Sequence, residues 1–195
     1  MKTKLPKQSK RDQLIQTAVK LFAKNGFHAT GVDMIAAESG VTKRTLYAHF
    51  RSKEELVLAA LQQYDGVFRN EFVRRVEESA KTPRGQLLAV FDVAEQWFRQ
   101  NNFYGCLFIN AVGEFSERDT AIRKVCCEFK ALVKGYIQEL CLRAGAAHPD
   151  QLAEELALLF EGAIVTAQVS QTSKAAQIAK RASKALVDKA LSKQP

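Results

Sequence analysis

Val32–Lys53 reads VDMIAAESGVTKRTLYAHFRSK. Its spacing predicts a short helix, a tight turn at Gly40 and a second short helix. Val32, Ile35 and Ala36 share a face of the first, and Leu46 and Phe50 share a face of the second. Thr42 follows Gly40-Val41, where an N-cap hydroxyl accepts a hydrogen bond from a backbone N–H that the helix leaves unpaired. The remaining residues of the second helix do not suit a core. Lys43, Arg44, Thr45, Tyr47 and His49 are polar or amphipathic, and only Leu46 and Phe50 face inward. A short helix anchored by two apolar residues and covered with donors fits the major groove of DNA. The stretch is therefore a helix-turn-helix.

The run LFAKNGFHATGVDMIAAESGVTKRTLYAHFRSKEEL, Leu21 to Leu56, resembles the TetR family of bacterial transcriptional regulators. The resemblance is specific through about residue 60 and is one of architecture beyond it. It implies an all-α protein of about nine helices. An N-terminal arm and three-helix DNA-binding domain (residues 1–52) would be joined by a long helix to a larger effector-binding and dimerisation domain (53–195). It also implies roles for residues. Thr42 and Tyr47 supply hydroxyls to phosphates, His49 lies near the DNA backbone, and Lys53 contacts phosphate from the start of the fourth helix. Lys43, Arg44 and Thr45 are best placed for base edges. Arg44 departs from the many relatives that carry Gly there. Its guanidinium suits either guanine O6 and N7 or a phosphate. The function implied is a sequence-specific regulator, usually a repressor, released from a pseudo-palindromic operator by a small-molecule effector. Its partners would be double-stranded DNA, a second copy of the chain and that effector, with no cofactor.

Charge supports the motif. The net charge is +8, and residues 1–60 carry eleven Lys/Arg against five Asp/Glu, whereas the rest carry eighteen against sixteen. The basic excess lies at the helix-turn-helix end, as phosphate attraction requires, although an anionic membrane would attract it equally. A hydrophobic content of 47% in 195 residues excludes general disorder. Cys106, Cys126, Cys127 and Cys141 show no C-x-x-C spacing, and with three His they suggest neither a metal site nor a disulfide framework. The start, MKTKLPKQSKRDQ, lacks the apolar segment of a signal peptide. No apolar run approaches the roughly 18 residues of a membrane span. A cytoplasmic protein is expected.

Along the chain, Lys2, Lys4, Lys7 and Lys10 form either a frayed terminus or an arm toward DNA. A first helix is predicted from about Ser9 to Asn25, stopped by Gly26 in a left-handed conformation, and Thr30 is expected to cap the second. Ser52-Lys53-Glu54-Glu55 is a capping box for a helix reaching Ser79. Thr82-Pro83 starts a fifth helix, Cys106–Phe115 forms a sixth, Ser116 with Asp119 opens a seventh, and Pro149 starts an eighth. The eighth is apolar nearly all round, which predicts one face on its own core and another on a second subunit. A ninth, Ala-rich helix begins near Lys174.

Beyond the DNA-binding end, Phe68, Trp97, Phe129 and Phe160 are candidates for an effector pocket, although aromatics at helical spacing also make ordinary core. Asn110 and Glu114, a polar pair at i, i+4 on an apolar helix, face either solvent or that cavity. Leu156, Phe160, Ile164, Ile178 and Leu186 are the candidates for a dimer interface, where charge at Ile164 or Leu186 should give a monomer. Buried cysteines behave as small hydrophobes, with a thiol sensor as the alternative. No catalytic grouping, phosphate-binding loop or metal spacing is visible, so an enzyme is not expected. The competing function is a helical ligand-binding or redox-sensing protein in which DNA binding is secondary.

Overall fold

In the computed structural model, which describes residues 9–192, every regular element is an α-helix. Nine are present among the described residues: α1 (Lys10–Asn25), α2 (Val32–Ser39), α3 (Lys43–His49), α4 (Lys53–Ser79), α5 (Pro83–Phe98), α6 (Leu107–Glu114), α7 (Ala121–Arg143), α8 (Pro149–Ser170) and α9 (Lys174–Leu191). Of the basic arm, Lys2, Lys4 and Lys7 lie outside the described residues, and Lys10 opens α1. The chain divides into two compact units. The first takes the residues through Asp65 together with Leu107–Cys126, and the second takes Gly66–Cys106 and the residues from Cys127 on. Thus α6, although it follows α5 in the chain, belongs with the helix-turn-helix.

The first unit is held by residues whose spacing already marks them as apolar faces. Leu14, Ala18 and Phe22 of α1 are fully buried, as are Phe27, Ile35 of α2 and Leu46 of α3. Burial of the Leu, Ile and Phe side chains among these contributes roughly 1.5–3 kcal/mol each. Ser9 caps α1, its hydroxyl accepting from the Asp12 N–H at 3.1 Å. Gly40 ends α2 in the left-handed conformation (φ 63°, ψ 23°), the turn expected between the two short helices. Two local expectations fail. Gly26 has positive φ, but its ψ of 166° is not left-handed helical, so the chain leaves α1 extended. Thr30 does not cap α2; Gly31 holds the N-cap position. The Thr30 hydroxyl, fully buried, instead donates back to the Gly26 carbonyl at 2.7 Å, which ties the loop before α2 to itself.

In the second unit, α5 and α9 run antiparallel. Arg84 pairs with Asp188 at 2.5 Å, Asp92 with Lys180 at 2.6 Å, Glu95 with Gln177 at 2.8 Å and Arg99 with Ser173 at 3.3 Å. Positions rise on one helix in step with their fall on the other. Exposed pairs like these contribute about 0–1 kcal/mol each, so they set register more than they drive association. α8 packs on α9, with Leu152, Leu156, Ala163, Ile164 and Ala167 buried on the one helix and Ala175, Ala176, Ala179 and Val187 on the other, while Phe160 of α8 packs on Phe72 and Phe91. The start of α7 also departs from expectation. Asp119 adopts φ 64°, and the helix begins at Ala121 with the Thr120 hydroxyl accepting from the Arg123 N–H at 3.2 Å. Ser116 and Asp119 therefore belong to the connection, and Thr120 is the cap.

Candidate nucleic-acid interface

The α3 helix is built to present its polar side. Thr42 is its N-cap: the hydroxyl accepts from the Thr45 N–H at 3.2 Å and lies 2.9 Å from the Thr45 hydroxyl. Leu46 and Phe50 are buried at 0% and 1% exposure and fasten the helix to the core, while Thr42, Lys43, Arg44, Tyr47 and His49 are exposed and Thr45 is half-buried. Arg11 of α1 stands over the Phe50 ring at 5.3 Å, a cation–π contact behind the helix. Lys53, at the first residue of α4, donates to the His28 carbonyl at 3.2 Å. The capping box before α4 forms by half: the Ser52 hydroxyl accepts from the Glu55 N–H at 3.2 Å, but the Glu55 carboxylate reaches one residue further back and accepts from the Arg51 N–H at 2.7 Å.

Lys43 has a partner that sequence reasoning missed. Its ammonium meets the Asp33 carboxylate of α2 at 2.8 Å. Hydrogen bonding and then charge from Asp33 raise the lysine above its ordinary value. Asp33 reads in the sequence only as a carboxylate at a positive helix start. The signal that could have found the pair is the turn itself, which brings the beginnings of two successive short helices together.

The effector-pocket candidates separate. Phe68, Trp97, Phe129 and Phe160 all lie in the second unit. Phe68 is 4.9 Å from Trp97 and 6.2 Å from Phe129, ring centre to ring centre, and Phe72 is 5.4 Å from Phe160. The cavity lined by Phe68, Phe72, Val133, Tyr136 and Phe160 is only about 10 Å³, close to the space of one water molecule. The aromatics pack on one another. Asn110 and Glu114 lie in the first unit. The expectation that Glu114 faces solvent or lines a pocket is corrected, because its carboxylate accepts from the Phe27 N–H at 2.7 Å and the His28 N–H at 2.6 Å. His28 Nε2 lies 2.9 Å from the carbonyl of the same residue, and Phe115 packs edge-on against Phe27. A Cβ at Gly26 would come within 2.9 Å of the Glu114 carboxylate, so glycine makes room for this clamp.

Three of the five interface candidates are also corrected. Leu156, Phe160 and Ile164 are 1–3% exposed and belong to the core of their own chain. Leu186 is half-buried and lines a cleft of about 140 Å³ with His148, Gln151, Glu155 and Lys189. Ile178 is exposed, and so are Leu158, Val165 and Val169, apolar residues of α8 that are not among the interface candidates. Their signal was a second apolar stripe on α8, out of phase with the buried one. Among the cysteines, Cys106, Cys126 and Cys141 are buried and Cys127 is exposed; Lys130 approaches Cys106 Sγ at 3.4 Å and Glu161 at 2.5 Å. Among the described residues no group of His, Cys, Asp and Glu could hold a metal, and no helix is long and apolar enough to cross a membrane.

Comparison with known proteins bears on this geometry directly. Residues 14–60 match the family described as bacterial regulatory proteins, tetR family, and residues 83–183 match the tetracyclin repressor-like C-terminal domain. A solved TetR-family transcriptional regulator from Streptomyces coelicolor superimposes with a TM-score of 0.86 at 27% identity, covering 93% of this chain and 96% of that one. The transcriptional activator FasR of Mycolicibacterium smegmatis is 38% identical over 97 residues, 47% of this chain and 43% of FasR. The transcriptional repressor KstR2 of the same organism is 36% identical over 84 residues, 43% of this chain and 40% of KstR2. The chain thus spans less than half the length of these two curated relatives. With the capped, outward-facing α3 in one half and the matched C-terminal domain in the other, the chain belongs to the TetR family of transcriptional regulators.

Proposed function

We propose that the chain binds a pseudo-palindromic operator as a homodimer, through α3, and that a small molecule held in the second unit controls that binding. The observation that carries the reading is α3 itself. Thr42 caps it, Leu46 and Phe50 anchor it, and Lys43, Arg44, Tyr47 and His49 are turned to solvent. One helix this short reads few base pairs. Two of them about 34 Å apart, on successive major grooves of one face, read a two-fold site. In this reading residues 1–52 are the DNA-binding domain and 53–195 the effector-binding and dimerisation domain, and the protein works in the cytoplasm, where its DNA is. Thr42, Tyr47, His49 and Lys53 position the helix on phosphates, and Lys43, Arg44 and Thr45 face base edges. Repression is the expected sign, although the two relatives named above are one activator and one repressor.

The packed aromatics around Phe68 and Phe160 support an apolar effector, and one that enters between them displaces them, because the cavity they line holds about one water. Selection of bound duplexes from random DNA tests the proposal. It should return two inverted half-sites about one helical turn apart. Arg44→Ala should then cost about 1–3 kcal/mol and relax preference at one base pair per half-site. Equal weakening on every sequence would place Arg44 on phosphate, and a selection with no sequence preference would overturn the operator reading.

A further inference from the structure

The pair between Asp33 and Lys43 joins two helices of the DNA-binding unit at the surface that the proposed function turns toward DNA. Asp33 is the second residue of α2 and Lys43 the first of α3, and their charged atoms are 2.8 Å apart. They are not neighbours on one helix; the turn at Gly40 brings them together. Both side chains remain open, 77% exposed for Asp33 and 53% for Lys43, so neither charge is buried by the fold. A carboxylate on this surface is out of keeping with the basic excess of the N-terminal residues, and attraction to phosphate does not explain it.

We infer that Asp33 is a specificity-determining positioning residue: it holds Lys43 back from the phosphates of arbitrary DNA, so that Lys43 adds to binding only where an operator base meets the ammonium in its held position. The inference rests on the DNA-binding reading of α3. Lysine is a compact charge on a flexible four-carbon stem, and any phosphate satisfies it. Contacts of that kind strengthen binding to all sequences and discriminate among none. To reach a phosphate that lies away from its held position, Lys43 must leave Asp33, and the carboxylate is then unpaired in the field of the phosphates. A non-cognate complex bears both losses. On the operator neither arises, because an ammonium has three donors, and with one on Asp33 the others remain for an acceptor such as guanine O6 or N7. Specificity is a difference between two affinities, and Asp33 lowers the one that is not wanted.

A double-mutant cycle tests this. Wild type, Asp33→Asn, Lys43→Ala and the double variant are titrated over a salt series against the selected operator and against a random-sequence duplex of equal length. Circular dichroism melting shows that each variant is folded. The expected result is that Asp33→Asn tightens binding to the random duplex, with a salt slope steeper by about one. The ratio of operator to random affinity should fall by roughly three- to tenfold, the scale of one surface charge contact. In the Lys43→Ala background the same substitution should leave ratio and slope nearly unchanged, and Asp33→Glu should keep the wild-type ratio. If Asp33→Asn tightens both duplexes equally, with and without Lys43, Asp33 is only a repelling charge and the inference is overturned. A wild-type protein showing no salt-dependent binding to either duplex would instead sink the DNA-binding reading on which it stands.

Discussion

Tyr136 shows how much one atom decides. Its ring lines the small aromatic cavity of the second unit, and its hydroxyl is buried with no hydrogen-bond partner. Burial, with the nearby Glu77 charge adding to it, pushes the phenol from its ordinary 10 up to about 12, and burial alone pushes the Cys141 thiol from 9 up to about 12. In the unfolded chain both groups ionise at their ordinary values, whereas in the folded chain they hold their protons longer. Between about pH 9 and 12 the folded state therefore binds more protons. The stability these groups contribute is complete below pH 9 and drains away as pH rises through 12. Tyr136→Phe removes the unpartnered hydroxyl and keeps the ring. It should be neutral at pH 7 or stabilise by up to about 1 kcal/mol, and it should flatten the decline above pH 10. Urea unfolding at pH 7, 9 and 11 measures both effects. A clear loss of stability at pH 7 would mean that the hydroxyl has a partner after all.

At the scale of elements, what the sequence made legible is what its neighbouring residues settle by themselves. The Thr42 cap, the Ser52 cap, the Thr82-Pro83 start and the Pro149 start all form where local chemistry places them. The departures arise where another partner competes, four residues away for Thr30, ten for Lys43 and more than eighty for Glu114. Thr30 abandons α2 for the Gly26 carbonyl, Lys43 takes Asp33, and Glu114 of α6 takes two N–H groups that lie 86 and 87 residues earlier. No spacing rule announces a contact of that range; it is set when α6 packs into the first unit. Glu114 is thus the side chain that fastens α6 to the loop between α1 and α2. Glu114→Ala leaves the Phe27 and His28 N–H groups without their charged acceptor, and each such bond is worth about 1.5–3 kcal/mol. A loss of roughly 2–4 kcal/mol is expected by urea unfolding, less than the sum because the His28 N–H is exposed and regains water. A loss under about 0.5 kcal/mol would show that the clamp is replaceable.

On the scale of the whole molecule, the apolar surface left over is the informative quantity. On α8 the buried stripe from Leu152 to Ala167 serves the chain's own core. Leu158, Val165 and Val169 are nevertheless 74%, 43% and 80% exposed, and Ile178 on α9 is 57% exposed. Steps of seven and four residues put the three α8 side chains on one face. The sequence shows α8 to be apolar on two sides without showing which side faces in, and Ile164 lies on the inner one. Periodicity reports that two stripes exist, and only packing reports which one faces in. In the proposed homodimer a second copy related by two-fold symmetry would offer the same stripe, and each protomer would cover the other's. Val165→Glu and Leu158→Glu should therefore give a folded monomer by light scattering, with an unchanged helical spectrum and much weaker operator binding, because one recognition helix engages one half-site. Ile164→Glu, which buries a charge at a position 2% exposed, should instead unfold the second unit. A Val165→Glu protein that keeps dimer mass would move the interface off this face of α8, and a folded Ile164→Glu monomer would restore the sequence-based assignment.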